Sequence, residues 1–228
     1  MKPRLVLLPG LNGSSALFAP LLEHLHPALN VQMLSLPAQG QQDYPSLTDC
    51  LKSQLGESPF VLLGESFSGP LAYRLARDNP PGLRGVIFAA SFLSRPHPLL
   101  ALTKHLPLPK ALLKQNSLLR LFCLDQSASA ALIELLQEEI EAMPPALLRA
   151  RLASLSALQA PTGCISLPAL QLLPGRDRLV TRHASAGLQR HCSQLQQVVI
   201  EGPHFLLQSQ PQACARAIEG FIEVLERT

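Results

Sequence analysis

With 228 residues the chain is long enough for one α/β domain, and 47% hydrophobic against 15% charged residues suits a buried parallel sheet with an apolar pocket. A net charge of +3, with no block of like charge, argues against nucleic acid as a partner. No apolar run approaches the length of a membrane span, and Met1-Lys2-Pro3-Arg4 leads straight into a strand without a signal-peptide core.

Arg4 to Leu8 reads as a first buried strand, ending in the loop Pro9-Gly10-Leu11-Asn12-Gly13-Ser14-Ser15 and an apolar helix from Ala16. Strands are expected over 4–8, 31–36, 60–65, 85–90, 168–173 and 196–200, and helices over 16–25, 46–55, 69–78, 181–190 and 209–226. That alternation predicts a mostly parallel sheet of about six strands with helices on both faces, an α/β fold. Asp43, Asp49 and Asp78 read as loop or cap residues.

The run Phe60-Val61-Leu62-Leu63 enters Gly64-Glu65-Ser66-Phe67-Ser68-Gly69, a buried strand turning tightly into a helix with a serine at the tip. A nucleophile elbow needs that context, with small neighbours two residues either side. Gly64 meets the requirement; Ser68 stands where glycine is usual. The alternative is an ordinary strand-to-helix turn with a serine cap. Glu65 is expected to pack or hydrogen-bond behind the elbow. Ser68, a turn into the helix, is the rival nucleophile.

A serine needs a base, and the base an orienting acid. The strand ending at Pro174 runs into Gly175-Arg176-Asp177, and the strand ending at Ile200 runs into Glu201-Gly202-Pro203-His204-Phe205. Functional groups of an open parallel sheet collect past the carboxyl ends of its strands. Ser66, Asp177 and His204 each sit there, in the chain order Ser, Asp, His. His24, His26, His97, His105, His183 and His191 are placed less well, and Asp125 falls elsewhere. The Gly-rich loop after the first strand is where a free backbone N–H is needed for an oxyanion, and the donors expected are the amides of Leu11 and Phe67. A merely tight βα loop is the alternative there.

Residues 92–162 break the alternation. Roughly seventy residues is too long for a bare connection. Ser129 is placed to cap a helix through Leu132 to Ile140, Pro144-Pro145 breaks it, and a second helix spans Ala146 to Leu158. This segment is expected to be a helical lid inserted in a core of 1–91 and 163–228, the alternative being a helical layer packed elsewhere. It is rich in Leu and Ala, with Phe92 and Phe122 as its aromatics, so an apolar acyl or alkyl guest is expected. Gly10, Asn12, Phe92 and Phe205 are the pocket residues expected, with Leu206 beside Phe205. Lys104, His105, Lys110, Lys114 and Arg120 give its first half a basic bias, open to an acidic carrier protein or to a plain solvated face. Five scattered cysteines (50, 123, 164, 192, 214) without Cys-x-x-Cys spacing read as free thiols of a reducing cytoplasm, with no metal site.

On the elements Gly10–Gly13, Gly64–Gly69, Gly175-Arg176-Asp177-Arg178-Leu179-Val180 and Gly202-Pro203-His204-Phe205, the chain resembles the α/β-hydrolase superfamily over nearly its whole length. More narrowly it is similar to small bacterial carboxylesterases and thioesterases with one lid insertion, including the pimeloyl-carrier-protein methyl ester esterases. Pro9 replaces the histidine common before the oxyanion glycine, and Ser68 replaces the second elbow glycine. The resemblance implies a serine hydrolase, without cofactor or metal, cleaving an ester or thioester of a small apolar acyl group, with an acyl carrier protein as a candidate partner. A non-catalytic small-molecule receptor on the same scaffold, or a carbon–carbon bond hydrolase, stands as the other reading.

Overall fold

The computed structural model describes residues 2–100 and 109–227. Six parallel strands, β1 (Arg4–Leu8), β2 (Val31–Met33), β3 (Phe60–Glu65), β4 (Leu83–Ala89), β5 (Ile165–Pro174) and β6 (Cys192–Ile200), lie in the order β2-β1-β3-β4-β5-β6. The central strands are apolar on both faces because both faces are covered. Val6, Leu8, Leu62, Val86 and Phe88 point into one core cluster, shared with α2 (Tyr44–Lys52), α3 (Gly69–Asp78) and α8 (Arg182–His191). Leu5, Leu7, Val61, Leu63, Ile87 and Leu172 point into the other, against α1 (Ala19–Leu22), α9 (Leu206–Ser209) and α10 (Pro211–Arg227). Each fully buried Leu, Val or Phe contributes about 1.5–3 kcal/mol through area removed from water.

The element ends depart from expectation for local reasons. Helix α2 starts at Tyr44 because the Asp43 carboxylate accepts the Ser46 N–H at 2.9 Å and Pro45 suits the first turn. Strand β2 is short: Leu34 N–H still reaches Leu7 C=O at 3.0 Å, but Leu36 N–H turns to Gly13 C=O at 2.8 Å. The chain leaves the sheet there to brace the first βα loop. The helix expected over 16–25 is a 3₁₀ turn (Ala16–Phe18) followed by the four-residue α1. His24 N–H bonds to Leu21 C=O, and the segment tightens into turns before Pro27. Strand β6 begins directly after α8, earlier than expected; as an edge strand it carries polar Gln194, Gln196 and Gln197, which hide it from a hydrophobicity reading.

Between β4 and β5 lie α4 (Lys110–Leu113), α5 (Asn116–Leu118), a π-helical turn (Leu119–Cys123), α6 (Ala130–Ala142) and α7 (Pro145–Ala157). Ser129 caps α6, accepting the Leu132 N–H at 3.2 Å. Lys104 and His105 lie outside the described residues. Leu17 of the first βα connection packs with Leu119, Leu124, Ile133 and Leu136, which seats the insertion over the carboxyl ends of the strands.

Candidate active site

The elbow is built by steric exclusion. Ser66 has φ +47°, in the left-handed region where a non-glycine residue is strained and held only by its surroundings. A Cβ at position 64 would lie 2.6 Å from the Ser68 carbonyl oxygen and 2.9 Å from the Ala72 Cβ, so the turn closes only with glycine there. Ser91 Oγ donates to the Ser66 carbonyl at 2.7 Å and fixes the tip from behind. Ser68 is fully buried and its hydroxyl donates to the Pro9 carbonyl. The two departures from the family pattern therefore touch: Ser68 ties the elbow to the loop that Pro9 opens.

Ser66, His204 and Asp177 come together. Ser66 Oγ is 2.9 Å from His204 Nε2, and His204 Nδ1 is 2.8 Å from Asp177 Oδ2. Asp177 Oδ1 accepts the Leu179 and Val180 N–H groups at 2.8 and 2.9 Å, which aims the other oxygen at the imidazole. The acid and base loops are laced together by Gly175 N–H to Ile200 C=O and Arg176 N–H to Gly202 C=O, at 2.9 and 3.0 Å. Phe205 N–H reaches the Cys123 carbonyl of the insertion at 3.0 Å.

Burial alone would raise the Asp177 carboxyl; the His204 imidazole and the Val180 and Leu179 amides overcome it and hold Asp177 below its usual range. For His204 burial disfavours the cation, yet Asp177 and then Glu65 outweigh it and lift the imidazole above its ordinary 6.5. Glu65 is buried behind the elbow as expected. Its carboxyl is raised by desolvation, while Gln208 Nε2, at 2.8 Å, and the Gly10 N–H bond to it. Gln208, which the sequence reading missed, also donates to Leu17 C=O at 3.1 Å.

Above the serine lies a cavity of about 580 Å³, lined mainly by apolar side chains of the insertion, including Leu100, Leu119, Ile140, Met143, Leu148 and Leu152. Gly10, Asn12, Phe92 and Phe205 line it, together with Leu11, Phe67 and Phe122. Leu206 does not: it is fully buried in the core cluster beneath, because α9 turns it inward. Gly10 C=O accepts the Gly13 N–H at 3.1 Å, so the trans peptide turns the Leu11 N–H the opposite way. Among the described residues that N–H has no hydrogen-bonded acceptor. The Phe67 N–H lies in the first helical turn, where amides lack intrahelical partners.

The other candidates are engaged elsewhere. Asp125 pairs with Arg176 at 3.4 Å, and Asp78 with Lys52 at 2.8 Å. His97 lines the same cavity, and its Nδ1 accepts the Leu99 N–H at 3.2 Å. Lys114 pairs with Glu141 at 2.7 Å, Lys110 donates to the Glu141 carbonyl at 2.6 Å, and Arg120 to the Gln126 carbonyl at 2.8 Å. Of these three cations, Lys114 is paired with a carboxylate, while Lys110 and Arg120 are held by backbone carbonyls within the insertion. Among the described residues no group of three or more His, Cys, Asp or Glu is placed to hold a metal ion. Two polar residues of the insertion were missed. Glu139 accepts from Asn12 Nδ2 at 2.8 Å and from the Ser14 hydroxyl, and Arg151 is buried against Leu11. The signal for Arg151 was present, since it falls on the apolar stripe of Leu147, Leu148, Leu152 and Leu155.

A hydroxyl, an imidazole and a carboxylate in line past the strand ends of a parallel sheet is an arrangement suited to nucleophilic attack. Residues 5–217 match the model of the Alpha/beta hydrolase family, and the chain belongs to that family. It is similar to the biotin biosynthesis bifunctional protein BioHC of Cellvibrio japonicus (strain Ueda107), with 30% identity over 252 aligned positions, covering 98% of this chain and 48% of that protein. A pimeloyl-[acyl-carrier protein] methyl ester esterase of Proteus mirabilis (strain HI4320) is 33% identical over 96 residues, 40% of this chain and 37% of that protein. The chain thus spans about half, or less, of the length of these relatives. In fold it is similar to a thermophilic esterase from Thermogutta terrifontis, at a TM-score of 0.82 and 19% identity, covering 98% of this chain and 90% of that one.

Proposed function

We propose that the protein is a serine esterase that hydrolyses a carboxylic ester or thioester with an apolar acyl group. Ser66 Oγ attacks the carbonyl carbon as His204 Nε2 takes its proton. Asp177 holds the tautomer and stabilises the imidazolium. The Leu11 and Phe67 amides receive the oxyanion. His204 then protonates the departing alcohol or thiol, and water, deprotonated by His204, releases the acid from Ser66. The helical insertion serves as the lid whose leucines hold the acyl chain. A carrier-bound methyl ester is a fitting candidate substrate, supported by the names of the two relatives. Five free cysteines, two of them buried, support a reducing cytoplasm as its setting.

The observation that carries this reading is the continuous contact from Ser66 Oγ to His204 to Asp177 at the floor of an apolar cavity. Ser66→Ala is expected to lower kcat on a short p-nitrophenyl ester by about 10⁶-fold while the melting temperature holds. Retained turnover would reject the assignment. A fluorophosphonate probe should label the wild type at Ser66; an unlabelled protein would favour a non-catalytic receptor.

A further inference from the structure

We propose that Arg151 of α7 is a positioning residue that sets the oxyanion loop, so that the helical insertion helps to build the site as well as to cover it. The catalytic consequence rests on the esterase reading above; the geometric claim does not.

Arg151 is fully buried, which is rare for an arginine without an acidic partner. Among the described residues no carboxylate lies within ion-pair distance of it. Its guanidinium instead donates to three neutral acceptors: Nη1 to the Leu11 carbonyl at 2.8 Å, Nη2 to the Pro37 carbonyl at 3.1 Å, and Nε to Gln42 Oε1 at 3.0 Å. Gln42 is itself fixed, donating to the Pro37 carbonyl at 3.1 Å. The guanidinium carbon also sits 6.0 Å from the centroid of the Phe67 ring. One buried cation therefore holds the Leu11 carbonyl and lies over the Phe67 ring, the two residues whose amides are proposed to receive the oxyanion.

The Leu11 amide belongs to a peptide unit whose carbonyl is held by Gly13 N–H. The next peptide unit is held by Arg151. With both planes pinned, the backbone between them has little freedom to rotate the N–H away from the serine. Gly13 shows that the fit is mutual. Its φ is +77°, and a Cβ built there would overlap the guanidinium, coming within 2.8 Å of Nη2. Burial lowers the Arg151 pKa to about 10, which still leaves it charged at neutral pH, so its field also favours negative charge nearby. On the same helix Leu148, Leu152 and Leu155 line the cavity, so an acyl chain packing against them presses on the element that carries this arginine.

The test compares Arg151→Met and Arg151→Lys with the wild type by kcat and KM on a short p-nitrophenyl ester, by inhibition with an alkyl boronic acid, and by amide hydrogen exchange of residues 9–15. Arg151→Met should lower kcat by about 100-fold with KM within about twofold, and weaken the boronic acid, whose adduct places an oxygen in the same pocket, by a similar factor. Arg151→Lys keeps the charge but loses the fork, and should recover about tenfold of that loss. A lower melting temperature with kcat and boronate affinity unchanged would mean a purely structural role and overturn the proposal. Should the Met variant fail to fold, wild-type kcat in the Lys variant overturns it instead. If the wild type neither turns over esters nor takes the boronic acid, the esterase reading fails by itself. Exchange then decides: faster exchange of the Leu11 amide in either variant supports the positioning role, and unchanged exchange refutes it.

Discussion

The floor and the roof of the cavity are held together by different physics. The floor is made of backbone: a serine forced to φ +47°, a glycine at 64 that no side chain can replace, and loops at the ends of β5 and β6 stitched by main-chain hydrogen bonds. The roof is made of side chains. Leucines of α7 and the π-helical turn face the cavity, and a few long polar groups, Arg151 and Glu139 foremost, reach down to the loop after β1. A backbone-built floor tolerates almost no displacement, which is what keeps a hydroxyl, an imidazole and a carboxylate within hydrogen-bond reach of one another. A leucine roof accepts many apolar shapes, which suits binding but specifies the guest weakly.

If the floor carries the chemistry, damage there should appear in kcat and be indifferent to acyl length. Asp177→Asn keeps the size of the side chain and the amide bonds to its Oδ1, but presents a neutral group to His204 Nδ1 and permits the wrong tautomer. A fall in kcat of about 10⁴-fold is expected on both acetate and octanoate p-nitrophenyl esters. A loss smaller than about tenfold would show that another group orients the imidazole.

The roof should fail differently. Leu148 lines the cavity from α7 and is buried. Leu148→Ala is expected to lower kcat/KM for the octanoate ester about tenfold relative to the acetate ester, since a missing apolar contact costs about 1–3 kcal/mol. An equal change on both esters would mean that this helix packs without holding the acyl chain, which is the alternative the sequence left open for residues 92–162.

The same contrast explains what could be read from the chain alone. Backbone-built features leave local marks: the apolar run before Gly64, the Gly-rich loop at 10–13, and Asp177 and His204 just past strand ends. Each is visible within a few residues, and the structure brings all of them to one place. Features built from long side chains leave no such mark. Glu139 meets Asn12 from 127 residues further along the chain, and Gln208 meets Glu65 from the last quarter of the chain. Arg151 was hidden by the ordinary expectation that arginine faces water, although its spacing on an apolar stripe pointed inward. Leu206 was misplaced for the converse reason: an apolar residue beside a pocket residue looks like pocket wall until the turn of α9 sends it into the core. The edge strands β2 and β6 were misjudged in length because one neighbour, not two, selects their residues.

Glu65 lies where floor and loop meet, and its effect should be the subtlest. Its charge raises the His204 pKa, and the imidazole must be neutral to act as base. Activity should therefore rise with pH through a folded His204 value above 6.5. Stability runs the opposite way: folding favours protonated His204 below the unfolded value, and that contribution is lost as pH rises through the folded one. Glu65→Gln removes the charge and keeps one acceptor oxygen for the Gln208 N–H group. The acid limb of kcat/KM should then move to lower pH with the plateau rate little changed. A limb that stays in place would show that burial, the main cause of the raised Glu65 carboxyl, keeps that group protonated across the working range. Its contribution would then reduce to holding Gly10 and Gln208 by hydrogen bonds alone.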